Sequence, residues 1–403
     1  MPTFTYTARA RDGKKQKGTM TADSQQALRQ LLAQRGLTAE NVQAIKKGGR
    51  LQGKVGKKVK TAELLVFTRQ LSTIVSAGLP LLQGLDILAE QTDNEGFAAM
   101  IESVAANVEA GQSFSDALGE FPRAFPDLYV SMVRAGEAGG DLDGVLLQLA
   151  DYLEAMEDLR RRIKSAMTYP VVAFSMIILI AAGLIIWVVP QFAEIFGSFG
   201  KQLPAPTRLL IATSEVLRSW RAAVIAGVFA AIVIGVKMYA KTPAGRYQLD
   251  ALKLRVPVFG PLQRKVAISR FTRTLSTLIR SGVAILQALE IVERTAGNEV
   301  FAKAVRQAGD SVRSGETLAD PLARSEQFPA MVTRMIAVGE KTGALEQMLA
   351  KISDFYDSEV RATVDGLTSL IEPILIMMMG IVVGGIVVAL FMPILQLSSL
   401  VSG

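Results

Sequence analysis

The sequence predicts a mainly α-helical, polytopic membrane protein with two homologous cytoplasmic helical bundles, three transmembrane helices and a small α+β N-terminal module. Three observations carry that prediction. The stretch "FTRQLSTIVSAGLPLLQGLDIL" from Phe67 returns as "FTRTLSTLIRSGVAILQALEIV" from Phe271, with about half the positions identical. Each copy is followed by an uncharged apolar run set between two prolines. Half of the 403 residues are hydrophobic and mean hydropathy is positive, which places the chain among membrane proteins.

The N-terminal module is expected over 1–46. "TFTYTARA" and "KGTMTA" flank "RDGKKQ" as two short strands around a turn. "DSQQALRQLLAQRG" has an Asp23 or Ser24 cap and a Gly36 stop, so a helix is expected, and "NVQAI" supplies a further strand. The start "MPTFTYTARARDGKK" is polar, so no cleavable signal peptide is expected. Residues 47–60 read as a basic linker.

The first bundle is expected over 61–169. Residues 62–77 repeat apolar side chains at helical spacing, Gly78 stops that helix and Pro80 opens the next. Asn94 caps a third helix that ends at Gly111. A short helix lies near 115–119 and another between Pro126 and Glu137. "GEAGG" makes a turn, and a long helix from about Asp141 carries the chain toward Pro170. Five or six such helices pack as a bundle.

Span one is the charge-free "VVAFSMIILIAAGLIIWVV", bounded by Pro170 and Pro190. A loop over 191–219 follows, then span two over 220–239, with Trp220 and Tyr239 at its ends. A second bundle occupies 240–372. Span three, "ILIMMMGIVVGGIVVALFM", is bounded by Pro373 and Pro393, and the tail 394–403 is uncharged. A hydrocarbon core of roughly 30 Å needs about 20 helical residues, and each run supplies them.

Arg160, Arg161, Arg162 and Lys164 precede span one; Lys237 ends the apolar centre of span two, and Lys241, Arg246, Lys253 and Arg255 follow it. This bias orients the N-terminus and both bundles toward the cytoplasm and the C-terminus toward the periplasm. Two copies of a unit that ends in an outward span need a return helix between them, and span two is that helix. The matched landmarks keep order throughout: Arg69 with Arg273, Gly78 with Gly282, Pro170 with Pro373, Pro190 with Pro393. A repeat this long is a duplicated domain rather than a solenoid module.

The chain has no Cys and no His. Thiolate and imidazole metal sites, Cys nucleophiles and Ser-His-Asp arrangements are therefore excluded, and neither an enzyme nor a cofactor or metal site is expected. "GGRLQGKV" fits a phosphate-loop spacing but places Val55 where Ser or Thr belongs, and its flanks are a Lys-rich linker. "GEAGGDLDG" gathers Glu137, Asp141 and Asp143 without the spacing of a calcium loop, so dipole-facing carboxylates are the simpler reading. Arg69 and Arg273 read as internal salt-bridge partners, with a partner contact as the alternative. Residues 1–60 hold 14 Lys/Arg against 3 Asp/Glu, an excess suited to lipid headgroups, to an acidic protein or to a solvated linker rather than to nucleic acid. Ala223, Gly227, Ala231 and Gly235 form a small-residue stripe on span two, and Gly380 and Gly384 a GxxxG on span three, both suited to helix packing. No acid or base lies at mid-membrane to mark an ion path, Arg221 and Lys237 standing at the two ends of span two, which disfavours a transporter or channel.

The doubled "FTRxLSTxxxSG", the doubled "FP…GE…G", the "YPVV…VVPQFAEIFGSFG" bracket around span one and the three-span layout resemble the inner-membrane platform proteins of type IV pilus assembly and type II secretion. The resemblance covers essentially the whole chain. It implies a non-enzymatic bacterial inner-membrane protein that self-associates and couples a cytoplasmic hexameric ATPase to the insertion or extraction of pilins or pseudopilins, alongside other inner-membrane assembly proteins. "VVPQFAEIFGSFGKQLPAPT" leans toward the pilus branch. The candidate partner contacts are Lys57, Lys58 and Lys60 in the basic linker and the helix-end Glu137 and Glu340.

Overall fold

The computed structural model describes residues 3–10, 15–21, 37–44, 59–192, 204–257 and 259–401. The described chain is mainly helical, with three helices long and apolar enough to cross a membrane. It divides into two compact units, Met1–Leu147 and Gln148–Gly403.

In the first unit, β1 (Thr3–Ala10) lies between β2 (Lys15–Thr21) and β3 (Leu37–Ala44) in an antiparallel sheet of order β2-β1-β3. Phe4 pairs with Met20 on one side and Ala44 on the other, and the β1–β3 register slips between Thr7 and Ala8. The helix expected from Asp23 to Gly36 and the phosphate-loop-like segment lie outside the described residues.

The bundle begins with α1 (Thr61–Ser76), α2 (Leu81–Gln91), α3 (Glu95–Glu109), α4 (Phe114–Gly119) and α5 (Asp127–Gly139). Their apolar faces converge on Phe67, Phe97, Phe125 and Tyr129, with neighbouring ring centroids 5.4 to 6.0 Å apart. Thr68, buried beside them, bonds back to the Leu64 carbonyl at 2.7 Å and meets the Tyr129 hydroxyl at 3.2 Å. The Asn94 side chain caps α3 by accepting from the Gly96 and Phe97 amides.

The second unit repeats this plan. After α7 (Ala205–Arg218), α8 (Trp220–Tyr239) and α9 (Pro243–Arg255) come α10 (Phe259–Arg280), α11 (Ile285–Thr295), α12 (Glu299–Arg313), α13 (Ala319–Arg324) and α14 (Ala330–Thr342). Phe271, Phe301 and Phe328, the counterparts of Phe67, Phe97 and Phe125, form its aromatic core, with centroids 4.9 and 5.3 Å apart. The stops repeat as well. Gly78 and Gly282 both have φ near +81°, and Gly140 and Gly343 have φ of 71° and 72°. A side chain rarely adopts this left-handed backbone.

Spans one and three differ from their expected boundaries. α6 runs from Leu142 through Pro170 to Gly183, continues through a π-helical turn at Leu184–Val188, and stays helical to Phe192. α15 runs unbroken from Leu345 to Val401, with Pro373 and Pro393 inside it. The four prolines are therefore interior positions rather than boundaries, and spans one and three are each the continuation of a bundle helix. A proline deprives only the carbonyl four residues earlier of its donor, and helices at membrane depth accept that loss where the freed group finds another partner. Before Pro190 the wider π turn provides one adjustment, with the Val189 amide bonding the Leu184 carbonyl five residues back.

Candidate functional site

The repeated Gly-Glu pair was expected to be a helix-end turn bearing a surface carboxylate. In the structure it lies inside α5 and α14, with Gly136 and Gly339 buried and Glu137 and Glu340 half-buried, and the turns proper are made by Gly140 and Gly343. Glu137 Oε1 accepts the Phe114 amide at 2.6 Å and Oε2 the Ser115 amide at 2.9 Å. Glu340 does the same one repeat later, accepting Leu318 at 2.5 Å and Ala319 at 3.1 Å. Each carboxylate thus satisfies two amides at the start of a short helix that would otherwise lack acceptors. The glycines serve packing. A Cβ on Gly136 would stand 3.0 Å from Val145, and one on Gly339 would stand 2.8 Å from the Leu345 Cα.

The same end of the short helices carries a second repeated contact. Ser113 caps α4, and hydrogen bonding by Ser113 and Arg134 holds the Asp116 carboxyl below its ordinary pKa. Their counterparts Thr317 and Asp320 are bonded at 2.8 Å. Arg324, 2.7 Å from Glu316, likewise lowers the Glu316 pKa. Inside the first core, burial pushes the Tyr129 hydroxyl up, far beyond any physiological titration.

Arg273 is an internal salt-bridge residue. Its Nη2 meets Asp357, which also accepts from Ser269, and lies 3.4 Å from the more exposed Asp354. Other bridges join the same two helices. Lys265 reaches Glu359 at 2.8 Å and Thr363 at 2.9 Å, and Arg280 Nε reaches Glu346 at 2.8 Å. The cations sit on α10 and the carboxylates on α15, so the ladder fixes the register of the two helices. Arg69 is also partnered. The carboxylates of this ladder lie 66 to 94 residues from their partners, a separation no local motif announces.

Below the spans, Leu159, Leu262, Val360, Val364 and Leu367 bring α6, α10 and α15 together in one apolar cluster. At the far ends of spans one and three, Val189, Ile386 and Leu390 pack with Leu210 and Ile211 of α7. Thr207 of α7 is buried there and donates to the Ala389 carbonyl at 2.5 Å.

Of the remaining sequence candidates, Lys60 is exposed, and its amide bonds Glu63 Oε2, which also accepts from Asn94. Lys57 and Lys58 lie outside the described residues. Asp141 Oδ1 accepts the Gly144 amide at the start of α6. On α8, Ala223 and Ala231 are exposed, and nothing stands within 4 Å of a Cβ placed on Gly227 or Gly235, nor on Gly380 or Gly384 of α15. These small residues therefore make no close helix approach among the described residues.

The sequence profile described as "Type II secretion system (T2SS), protein F" matches residues 67–190 and again 271–393, and that of its N-terminal domain matches 1–43. Among curated relatives, "Type IV pilus assembly protein PilC" of Myxococcus xanthus is 42% identical, over 98% of this chain and 95% of its own length. The protein of the same name from Thermus thermophilus is 42% identical, over 98% of both chains. "Type II secretion system protein F" of Pseudomonas aeruginosa is 37% identical over the full length of both.

Proposed function

The chain belongs to the family described as type II secretion system protein F, and from that premise we propose that it is the inner-membrane platform of a type IV pilus machine. In this reading it joins a cytoplasmic hexameric assembly ATPase to the insertion or extraction of pilins. It catalyses no reaction itself, and its named relatives are called assembly and secretion proteins. The observation that carries the reading is the continuity of α6 and α15, each one helix from a soluble bundle into a span. A movement imposed on the bundle reaches membrane depth without crossing a loop.

Both bundles and the N-terminus face the cytoplasm in this proposal, because the basic clusters flank spans one and two on that side and the tail is uncharged. The N-terminal sheet, completed by a helix over 23–36, forms an α+β module that the linker 47–60 joins to bundle one. Lys57, Lys58 and Lys60 offer the ATPase a basic surface. The carboxylates of Glu137 and Glu340 also remain docking candidates, although each is already engaged by two amides. Self-association uses the uncovered small faces of α8 and α15. A type II secretion platform is the second reading, favoured by the full-length match to the secretion protein.

The test uses the full-length chain in lipid nanodiscs with the host's assembly ATPase. Binding and a changed rate of ATP turnover are expected, and both should weaken when Lys57, Lys58 and Lys60 are changed together to Glu. A well-folded chain that neither binds such an ATPase nor alters its rate sinks the coupling, leaving family membership intact.

A further inference from the structure

α6, α10 and α15 line a half-open cavity of about 280 Å³ within the second unit. Its wall is polar. Tyr152 bonds Thr274 beside it at 3.2 Å, and Asp151 and Asp354, which hold the same position in the two copies of the repeat, both line it. Two polar atoms on this wall are buried without a hydrogen-bond partner: Ser353 Oγ, on a residue 2% exposed, and Arg273 Nε. Buried polar groups in folded proteins are almost always satisfied, and a polar space larger than one water satisfies them with water.

We propose that this cavity is a hydration site, whose ordered waters complete the bonding of Ser353 Oγ and Arg273 Nε and bridge α10 to α15. Charge argues against an ion. Arg273 and Arg280 balance Asp151 and Asp354 on the wall, and both arginines are already paired, with Asp357 and Glu346. Such a wall lacks the excess of either sign that an ion demands. Its mixture of hydroxyls, guanidinium N–H groups and carboxylates suits a ligand that both donates and accepts. The seam between α10 and α15 is therefore wet at the level of Ser353 and dry one turn earlier, where Leu349 is fully buried. Water-bridged contacts are nearly as favourable as direct hydrogen bonds, so the waters add to the contact that the Arg273 and Arg280 salt bridges already make between the two helices.

The chain has no cysteine, so a single introduced thiol reports on one position. Ser353→Cys, Leu349→Cys and the double variant Ser353→Cys with Ala350→Met are prepared as full-length protein in nanodiscs. Each is labelled with a small charged methanethiosulfonate while folded, with melting curves confirming the fold. The expected result is labelling at position 353 at least about tenfold faster than at 349, because thiol reactivity follows access to water. Ala350→Met, which fills the cavity, should slow the 353 reaction toward the 349 rate. Equal slow labelling at 353 and 349 overturns the proposal. Fast labelling at 353 that Ala350→Met leaves unchanged also overturns it, since the reagent then arrives by another route.

Discussion

The hydroxyl of Thr207 donates at 2.5 Å to the carbonyl of Ala389, the acceptor that Pro393, four residues further along α15, leaves without an amide. A side chain on α7 therefore repairs a defect in the third span. Thr207→Val should cost about 1–3 kcal/mol by orphaning a buried acceptor, while Thr207→Ser should retain most of the stability. On a Pro393→Ala background the amide returns, and the penalty of Thr207→Val should shrink to a few tenths. Thermal unfolding of the four proteins in detergent closes this cycle, and an undiminished penalty would remove proline from the explanation.

Glu137 and Glu340 each hold two amides, so truncation to Ala should cost about 1–3 kcal/mol apiece. They share no hydrogen-bond partner, and the double variant should be near additive. Gln should fall between, since its amide offers one acceptor oxygen. Melting temperatures of the parent and these five variants test this, and neutral Ala variants would mean the amides find water instead.

Arg273 discriminates between two carboxylates. Asp354 is 72% exposed at its side chain and Asp357 is 16%. Asp354→Asn should therefore change stability by less than about 1 kcal/mol. A cycle of Arg273→Gln with Asp357→Asn should give a coupling of about 1–3 kcal/mol. Equal couplings to both would contradict the register assigned to α10 and α15.

The Asp116 carboxyl has a depressed pKa, with the Ser113 hydrogen bond as the larger cause and Arg134 the next. A carboxyl of this kind stabilises the fold above its unfolded pKa, and the contribution disappears as pH falls through the lower folded value. Asp116→Asn should melt earlier than the parent at neutral pH. The two curves should merge on acidification below about pH 4. A difference that persists unchanged at low pH would show that the charge is not its source.

Gly136 and Gly339 should reject side chains. Val at either should cost about 1–3 kcal/mol by overpacking the helix that follows, most at Gly339, where the obstacle is backbone. Ala at Gly227 or Gly384 meets open space and should leave unfolding unchanged while lowering self-association, measured by single-molecule photobleaching in nanodiscs. Unaltered association at both would withdraw the small faces from the interface.

What the chain reveals in its letters is mostly local. Gly78, Gly282, Asn94 and the repeated phenylalanines could be read because a positive φ, a cap or an apolar face is decided within a few residues. The prolines misled because the rule that proline ends a helix comes from water, where a freed carbonyl simply hydrates. Gly-Glu was placed at a turn because the amides that Glu137 binds lie 22 and 23 residues away. Thr207 gave no signal at all, its acceptor being 182 residues distant. The salt-bridge role expected of Arg273 was legible from its recurrence, but its partners were not.

α15 stays helical for 57 residues, about 85 Å at 1.5 Å per residue. A strut of that length has no loop in which to dissipate strain, and it is indifferent to which end is pushed. If a motor loads its soluble end, the membrane end moves; if a fibre is pulled, the same thrust travels back to the soluble end. In the proposed platform a single strut of this kind would report tension as well as transmit it.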